Sequence, residues 1–168
     1  MKNILKTLSV FLILLTACIS GDKKLFWIAE PSGHENDFLY MAESTNVPEL
    51  PPDSLTFYLT SAEILSGEKL TFKNFGTIYK NRAFRLLVLL EEGSGAGRDY
   101  TFILRTYDKN FKIIDSYELA AWQEEENRFC FGSIDAELTI KRICEGTTDV
   151  RRITNEGRII AISDHGSD

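Results

Sequence analysis

The sequence predicts an all-β domain, an antiparallel sandwich or barrel of about eight strands, with one or two short helices at most. Strand-like segments recur at intervals of about eight to fifteen residues, and turn-forming residues separate them. No segment shows the sustained apolar repeat of a long amphipathic helix. A chain of 168 residues, with 43% apolar and 26% charged residues, has the composition of one globular domain and not of a disordered protein.

The chain opens with the layout of a secretory signal. Lys2 and Lys6 give a positive start, and Leu8–Leu15 form an apolar run of about eight residues. A membrane-spanning helix needs about 20 apolar residues, so this run is too short to remain as an anchor. We therefore expect residues 1–17 to be removed as a signal peptide.

The four residues Leu15-Thr16-Ala17-Cys18 resemble the lipobox of bacterial lipoproteins. The resemblance implies that the Cys18 thiol is diacylated, that the chain is cut just before it, and that the new amino terminus is often acylated too. Two or three acyl chains anchor a protein stably, because each buried methylene contributes about 0.8 kcal/mol. The alternative is an ordinary signal peptide, with Cys18 left as a free thiol in a secreted protein.

Lipid on Cys18 would make the membrane the first partner of this protein and place it in the bacterial cell envelope. In Gram-negative lipoproteins, an Asp directly after the lipidated cysteine implies retention at the inner membrane. Here Ile19 takes that place, which favours the outer membrane, at its periplasmic face or at the cell surface. Residues 18–24 are short and contain glycine, as expected of a tether.

Residues 25–53 are predicted to form an N-terminal hairpin and a proline-rich connector. Two aromatic-rich runs, Leu25–Ala29 and Asp37–Ala42, could pair as the hairpin or drape over the main body. Val47–Asp53 contains three prolines, which fix φ and remove backbone donors, so we expect an extended connector at the surface. Residues 54–168 then form the antiparallel β domain.

The first part of this domain contains one strand that is apolar throughout. Leu55–Thr60 has a β-rich composition, and Ser61–Ser66 could form a single helical turn. The strand-like runs Leu70–Phe72 and Phe75–Tyr79 are out of phase, which indicates a bulge or a tight turn between them. Ala83–Leu90 is apolar on both alternating faces apart from one arginine, which predicts a central strand covered on both sides.

The second part contains the clearest hairpin. Asp99–Tyr107 and Phe111–Leu119 alternate with a period of two around a polar turn. Further strands are predicted at Arg128–Ile134, Glu137–Cys144, Val150–Thr154 and Gly157–Ile162.

The charge of the chain argues against a nucleic-acid partner. The formal net charge is −6, and it becomes −8 when residues 1–17, with their two lysines, are removed. Short basic pairs occur at Lys23-Lys24, Lys141-Arg142 and Arg151-Arg152, but acidic residues follow or interleave them. Solvated strand faces explain these pairs better than a phosphate-binding stripe does.

Three segments contain residue types that could support chemistry. His34, Glu35 and Asp37 share one loop and could hold a hard cation or act in acid–base chemistry, but no second His or Cys lies at ligand spacing. Glu124–Glu126 fit a solvated turn better than a cation site. Gly93–Arg98 lacks the Lys-Ser/Thr pair of a P-loop and precedes a strand. The sequence therefore predicts no metal site, no cofactor and no catalytic residue.

Cys130 and Cys144 could form a disulfide in the oxidising envelope. The bond would close a loop of about 15 residues and contribute about 3 kcal/mol in the chain-entropy model. Side-chain alternation argues against it: if Phe131 shares a face with Ile140 across a tight hairpin, Cys144 joins that face and Cys130 points to the other. A bulge would remove this objection, so the sequence leaves open a disulfide or two buried thiols.

These features predict a non-catalytic, lipid-anchored protein whose β domain binds a protein, peptide or glycan partner. Aromatic residues such as Trp27, Tyr40 and Trp122 lie near the ends of elements and are candidates for contact. One alternative is an envelope hydrolase with a carboxylate site, at the histidine loop or around Asp115 and Glu118. Another is an inhibitor or immunity-type protein whose acidic surface steers a basic partner.

Overall fold

A computed structural model describes residues 23–44, 46–65, 71–93 and 99–162. Cys18 and its lipobox lie outside these ranges. The strands are β1 (Lys24–Ile28), β2 (Thr71–Lys80), β3 (Arg85–Glu92), β4 (Asp99–Tyr107), β5 (Ile113–Gln123), β6 (Arg128–Asp135), β7 (Thr139–Cys144), β8 (Thr147–Ile153) and β9 (Ile159–Ala161). The helices are α1 (Phe38–Ala42), α2 (Leu55–Tyr58) and α3 (Ser61–Leu65), with a 3₁₀ turn at Pro52–Ser54. None of these described helices is long and apolar enough to cross a membrane.

The strands form one antiparallel sheet. From β2 to β9 each strand pairs with the next along the chain, and β1 joins the sheet by pairing with β6. This confirms the predicted all-β, antiparallel class, with nine strands in the described residues where about eight were predicted. The β4–β5 hairpin and the four later strands form where alternation predicted them.

β3 is the central strand that the sequence predicts. On one face, Leu86 and Val88 are fully buried in the main core. On the other face, Leu89 packs in a smaller cluster with Leu59 and Ile103. The prediction of burial on both sides is confirmed.

β2 runs through the out-of-phase segment as one strand with two irregularities. Its pairing with β3 shifts register between Asn74 and Gly76, and again between Thr77 and Tyr79. Gly76 has a φ of 90°, a backbone conformation that glycine adopts without a Cβ clash. The predicted bulge is confirmed.

The sheet folds into two layers at the point where strands β5 and β6 stop pairing. Only Ala121–Gln123 of β5 pair with β6, and β1 pairs with the later part of β6 from Gly132 onward. The layers touch at Gly132, where an added Cβ would lie 2.4 Å from the carbonyl oxygen of Leu119. Side chains from β1 and from β3 to β9 enclose the main core between these layers.

The predicted N-terminal hairpin is wrong. The run that begins at Leu25 pairs with β6 as strand β1, and Phe38–Ala42 forms helix α1. Asp37 starts this helix because its carboxylate accepts the backbone N–H of Tyr40 at 2.9 Å, which satisfies a free helix donor. The first and last residues of α1 lie four apart and are both fully buried, so one helix face meets the core.

The segment between α1 and β2 also differs from its prediction. Leu55–Thr60 is not a strand, and its first four residues form α2. Pro52 starts the 3₁₀ turn directly before it, where the fixed φ of proline favours helical backbone. The connector also pairs with the edge of β2, since Leu50 N–H donates to the carbonyl of Phe72 at 2.7 Å. The predicted helical turn forms as α3, Ser61–Leu65.

Candidate binding groove

An open groove of about 620 Å³ lies on the outer face of β1, β6 and β7, the face turned away from the core. Its apolar lining includes the large side chains Trp27, Phe129, Phe131 and Ile143, with Ile28 and Ala29 beside them. Ligand sites commonly have volumes of about 300–1,000 Å³ and a mainly apolar lining. The groove therefore has the size and chemistry of a binding site.

Strand alternation places these side chains on one face. Successive residues of a strand point to opposite sides, so Ile134 of β6 faces the core and Phe131 faces the groove. The register sets Phe131 opposite Ile143 of β7, and Trp27 of β1 opposite Ser133. Ser133 is small, and it leaves space beside the larger aromatic rings.

Two of these apolar side chains remain open to solvent in the folded protein. Trp27 is 37% exposed and Ile143 is 40% exposed. The Phe129 ring packs against the ring of Trp122 in β5, with ring centroids 4.5 Å apart in an edge-to-face contact. A contiguous apolar patch on a folded surface typically marks a contact site, whereas scattered apolar residues do not.

The rim of the groove carries charges of both signs. Lys24 and Lys141 lie among its lining residues, as do Glu30 and Glu145. A rim of mixed charge favours a ligand that itself carries both signs or polar groups. The excess of acidic residues in the chain does not lie at this rim.

Of the three aromatic residues singled out from the sequence, only Trp27 lines the groove. Tyr40 is 59% exposed on α1. Trp122 is half-buried between the rings of Phe38 and Phe129. The sequence did not single out Phe129, Phe131 or Ile143, which also line the groove.

The histidine loop has a structural role. The Asp37 carboxylate accepts backbone N–H groups from Tyr40, Ser32 and Gly33. The hydrogen bond from Tyr40 is the largest cause that holds the pKa of Asp37 below its ordinary value, although burial opposes it. Within the described ranges, no group of three or more His, Cys, Asp or Glu side chains is placed to hold a metal ion.

The other candidate carboxylates join strands. Asp115 accepts the backbone N–H of Ile159 at 2.9 Å, which links β5 to β9. Glu118 pairs with Arg128 at 2.7 Å and also with Arg142, which links β5 to β6 and β7. Both side chains are committed to holding the sheet together.

The two remaining candidate segments each lie between two consecutive strands. Glu124–Glu126 are exposed between β5 and β6, where the carbonyl of Glu124 accepts the N–H of Asn127 at 3.2 Å. The glycine-rich segment joins β3 to β4, and its residues 94–98 lie outside the described ranges.

Cys130 and Cys144 form a disulfide in the structure. The two residues lie directly opposite each other in the β6–β7 pair, with Cα atoms 4.3 Å apart. The alternation argument against this bond was wrong. It assumed a tight hairpin, but three residues separate the strands, so Phe131 faces outward with Ile143 and Ile140 faces the core with Cys130.

A buried ion pair, which sequence reasoning missed, fastens the helices to the sheet. Arg105 of β4 is only 2% exposed, and its guanidinium donates to both carboxylate oxygens of Glu63 in α3. It also donates to the carbonyl of Tyr58 and to the hydroxyl of Ser116, each at 2.8 Å. The hydroxyl of Tyr107 donates to the same Tyr58 carbonyl at 2.8 Å.

One sequence signal pointed to this cluster. Thr60 and Glu63 have the spacing of a capping box, and each accepts the backbone N–H of the other, at 2.6 and 3.2 Å. Burial raises the pKa of Glu63, but hydrogen bonds from Arg105 and Thr60 outweigh it and hold the pKa below its ordinary value. Burial raises the pKa of Tyr107 well above its usual range.

A second polar cluster links β5 to β8. The Tyr117 hydroxyl donates to Asp149 at 2.7 Å, and the Arg151 guanidinium donates to the same carboxylate at 2.9 Å. The hydrogen bond from Tyr117 is the largest cause that lowers the pKa of Asp149. Arg151 also lies over the Tyr117 ring, 4.8 Å from its centroid. These groups bind one another across the strands.

Comparisons of this chain with protein-family models, with curated proteins and with solved structures gave no match.

Proposed function

We propose that this protein is a lipid-anchored, non-catalytic envelope protein whose β domain binds a partner in the groove of β1, β6 and β7. Lipid on Cys18 holds it at the membrane, at the outer membrane by preference, and residues 18–24 tether the domain. The observation that carries the proposal is the shared lining of Trp27, Phe131 and Ile143 on the outer face of a folded sheet.

A peptide segment of a protein partner is the ligand that the groove favours. Apolar side chains of such a segment would pack on Trp27 and Ile143, and its charges would meet Lys141 and Glu145 on the rim. A glycan is the second ligand class, since aromatic rings also pack on the apolar faces of sugars.

Binding is favoured over hydrolysis because the candidate acid–base groups have structural partners. Asp37 caps a helix, and Asp115 and Glu118 hold strands together. A general acid or base needs a carboxyl group that can reach a substrate. No nucleic-acid partner is proposed, in keeping with the acidic balance of the chain.

Isolation of the full chain from bacterial envelopes in mild detergent tests the groove. The groove variant combines Trp27→Ala with Ile143→Asp, and the control is Phe57→Ala, a 61% exposed residue of α2 outside the groove. We expect one protein or glycan to be retained by the wild type and by the control, and lost from the groove variant. Equal retention by all three would show that the groove is not the binding surface.

Mass spectrometry of the mature amino terminus tests the anchor. We expect a chain that begins at Cys18 and carries the added mass of acyl groups. Cys18→Ala should abolish that mass and leave the signal segment uncut. An unmodified Cys18, or a wild-type chain that keeps Met1, would overturn the anchoring claim without bearing on the groove.

A further inference from the structure

In an antiparallel sheet whose strands pair in chain order, successive turns lie at opposite ends. The turns that join β2 to β3, β4 to β5, β6 to β7 and β8 to β9 therefore share one end. Side-chain contacts tie this end together. The hydroxyl of Thr106 donates to the carbonyl of Gly157 at 2.7 Å, and the Arg158 guanidinium donates to the carbonyl of Ile114 at 3.3 Å.

The chain enters the domain at this same end. Lys24 at the start of β1 lies opposite Asp135 at the end of β6. The N–H of Ala136 donates to the carbonyl of Lys23 at 3.0 Å. The described part of the chain thus begins at this end, and Cys18 lies five positions before Lys23 in the sequence.

Two turns at this end are strongly basic, and we call them the cationic end: residues 80–85 and 108–112. They carry the basic residues Lys80, Arg82, Arg85, Lys109 and Lys112, and Asp108 is their acidic residue. The described turn residues at the opposite end, 91–93, 123–128 and 144–147, carry six glutamates and one arginine. The other two turns at the first end, 135–139 and 153–159, add Asp135, Glu137, Glu156 and Arg158, so its four turns carry six basic and four acidic residues. A chain with a net charge of −6 thus places its basic excess at one end of the strands and its acidic excess at the other.

Three cations of this end form no ion pair with another described residue. The ion pairs of the described residues join one strand to another, join α3 to β4 or lie within β8. Lys80, Arg82 and Lys109 take part in none of them. Arg85 lies 3.8 Å from the centroid of the Phe111 ring, which contributes a cation–π contact. A notch of about 240 Å³ lies beside four of these cations, Lys80, Arg82, Arg85 and Lys109, and beside Asp108. A phosphate group entering it would meet several donors at once.

We propose that the cationic end docks on the anionic phospholipid headgroups of the membrane that holds the lipid anchor. The inference rests on the proposed lipid at Cys18, which brings this end within reach of the bilayer. Each basic residue near an anionic membrane strengthens binding roughly fivefold. Docking orients the strands roughly perpendicular to the membrane, with the acidic end directed away from it. The groove of β1, β6 and β7 then stays accessible on the side of the domain.

The mature, lipidated protein in vesicles provides the test. A fluorophore is attached at Asn110→Cys in the cationic end or at Glu125→Cys in the opposite end, both at exposed positions. Its quenching by headgroup-linked acceptors is then measured. In vesicles with phosphatidylglycerol we expect strong quenching at the first position and weak quenching at the second. Neutral phosphatidylcholine vesicles, or high salt, should reduce the quenching at the first position.

The charge requirement is tested by Lys80→Gln, Arg82→Gln and Lys109→Gln together, which should weaken the docked state by roughly 100-fold. Equal quenching at both positions, or a triple variant that behaves as the wild type does, would overturn docking while the anchor stands. Failure of the wild-type protein to float with vesicles would overturn the anchor itself, and docking with it.

Discussion

Gly132 lies where β5 and β6 approach closely, and Arg105 joins the helices to the sheet. At Gly132 the backbone of β5 crosses β6 so tightly that an added Cβ would lie 2.4 Å from the Leu119 carbonyl oxygen. Arg105 is a charged side chain that is only 2% exposed, and Glu63 is its ionic partner. A buried charge is tolerated only when it is paired and hydrogen-bonded.

Gly132→Ala should lower the free energy of unfolding by about 3 kcal/mol, because the new methyl group must displace backbone and not a mobile side chain. Ser133→Ala is the matched control, since its side chain points to the opposite face, and it should change stability by less than about 0.5 kcal/mol. Urea denaturation of each variant measures both values. A tolerated Gly132→Ala would contradict the close contact between layers.

Glu63→Gln should destabilise the protein by about 3 kcal/mol at neutral pH, because it leaves the Arg105 charge buried without a counterion. Glu125→Gln, in an exposed turn, should change stability by less than about 0.5 kcal/mol. Urea denaturation of the two variants checks this difference.

The pH dependence of this pair has a definite sign. The pKa of Glu63 lies below its ordinary value of 4.5 in the folded protein, so the stabilisation is present above that value and is lost as the pH falls through the folded pKa. Thermal unfolding across pH should show the difference between wild type and Glu63→Gln shrinking in acid. A difference that stays constant from neutral to strongly acid pH would rule out this linkage.

Single-residue roles were predictable from the sequence only where the signal is local. The Thr60–Glu63 capping spacing is one such signal, since both partners lie within one helical turn. The burial of Arg105 is not, because its partners Glu63 and Tyr58 lie more than forty positions away in the chain. Only the tertiary fold determines whether such a side chain is paired or solvated.

At the scale of elements, strands with clear alternation were predicted correctly. Apolar periodicity is a local property, and it located the β4–β5 hairpin and the two-sided strand β3. β1 was assigned the wrong partner because it pairs with β6, far along the chain, and nothing within the run specifies that register. The β6–β7 register was also misassigned, because apolar matching suggested a shorter turn than the one that forms.

The Cys130–Cys144 bond should stabilise the β6–β7 hairpin and the domain around it. A crosslink that closes a loop of about 15 residues contributes about 3 kcal/mol by restricting the unfolded chain. The double variant Cys130→Ala with Cys144→Ala should lose about this amount in urea denaturation under oxidising conditions. The wild type with reductant is the control and should show the same loss. A wild type whose stability does not respond to reductant would contradict the assigned role.

At the scale of the whole molecule, the fold determines where charged and apolar residues lie, whereas the composition gives only their numbers. The sequence gives a net charge of −6, but its separation into a basic and an acidic end depends on which turns share an end of the sheet. The groove likewise joins Trp27 from the start of the domain to Ile143 from a much later strand. Trp27 could be singled out as a contact candidate, but its neighbours in the groove follow only from strand pairing.

Site-specific photocrosslinking in the envelope tests the central claim, that the groove holds the partner, most directly. A photoreactive residue replaces Trp27 or Ile143 in the groove, or Phe57 of helix α2, which does not line the groove. We expect one defined adduct from both groove positions and none from position 57. Adducts from position 57 alone, or no adduct from either groove position in a protein that is folded and membrane-anchored, would contradict the account.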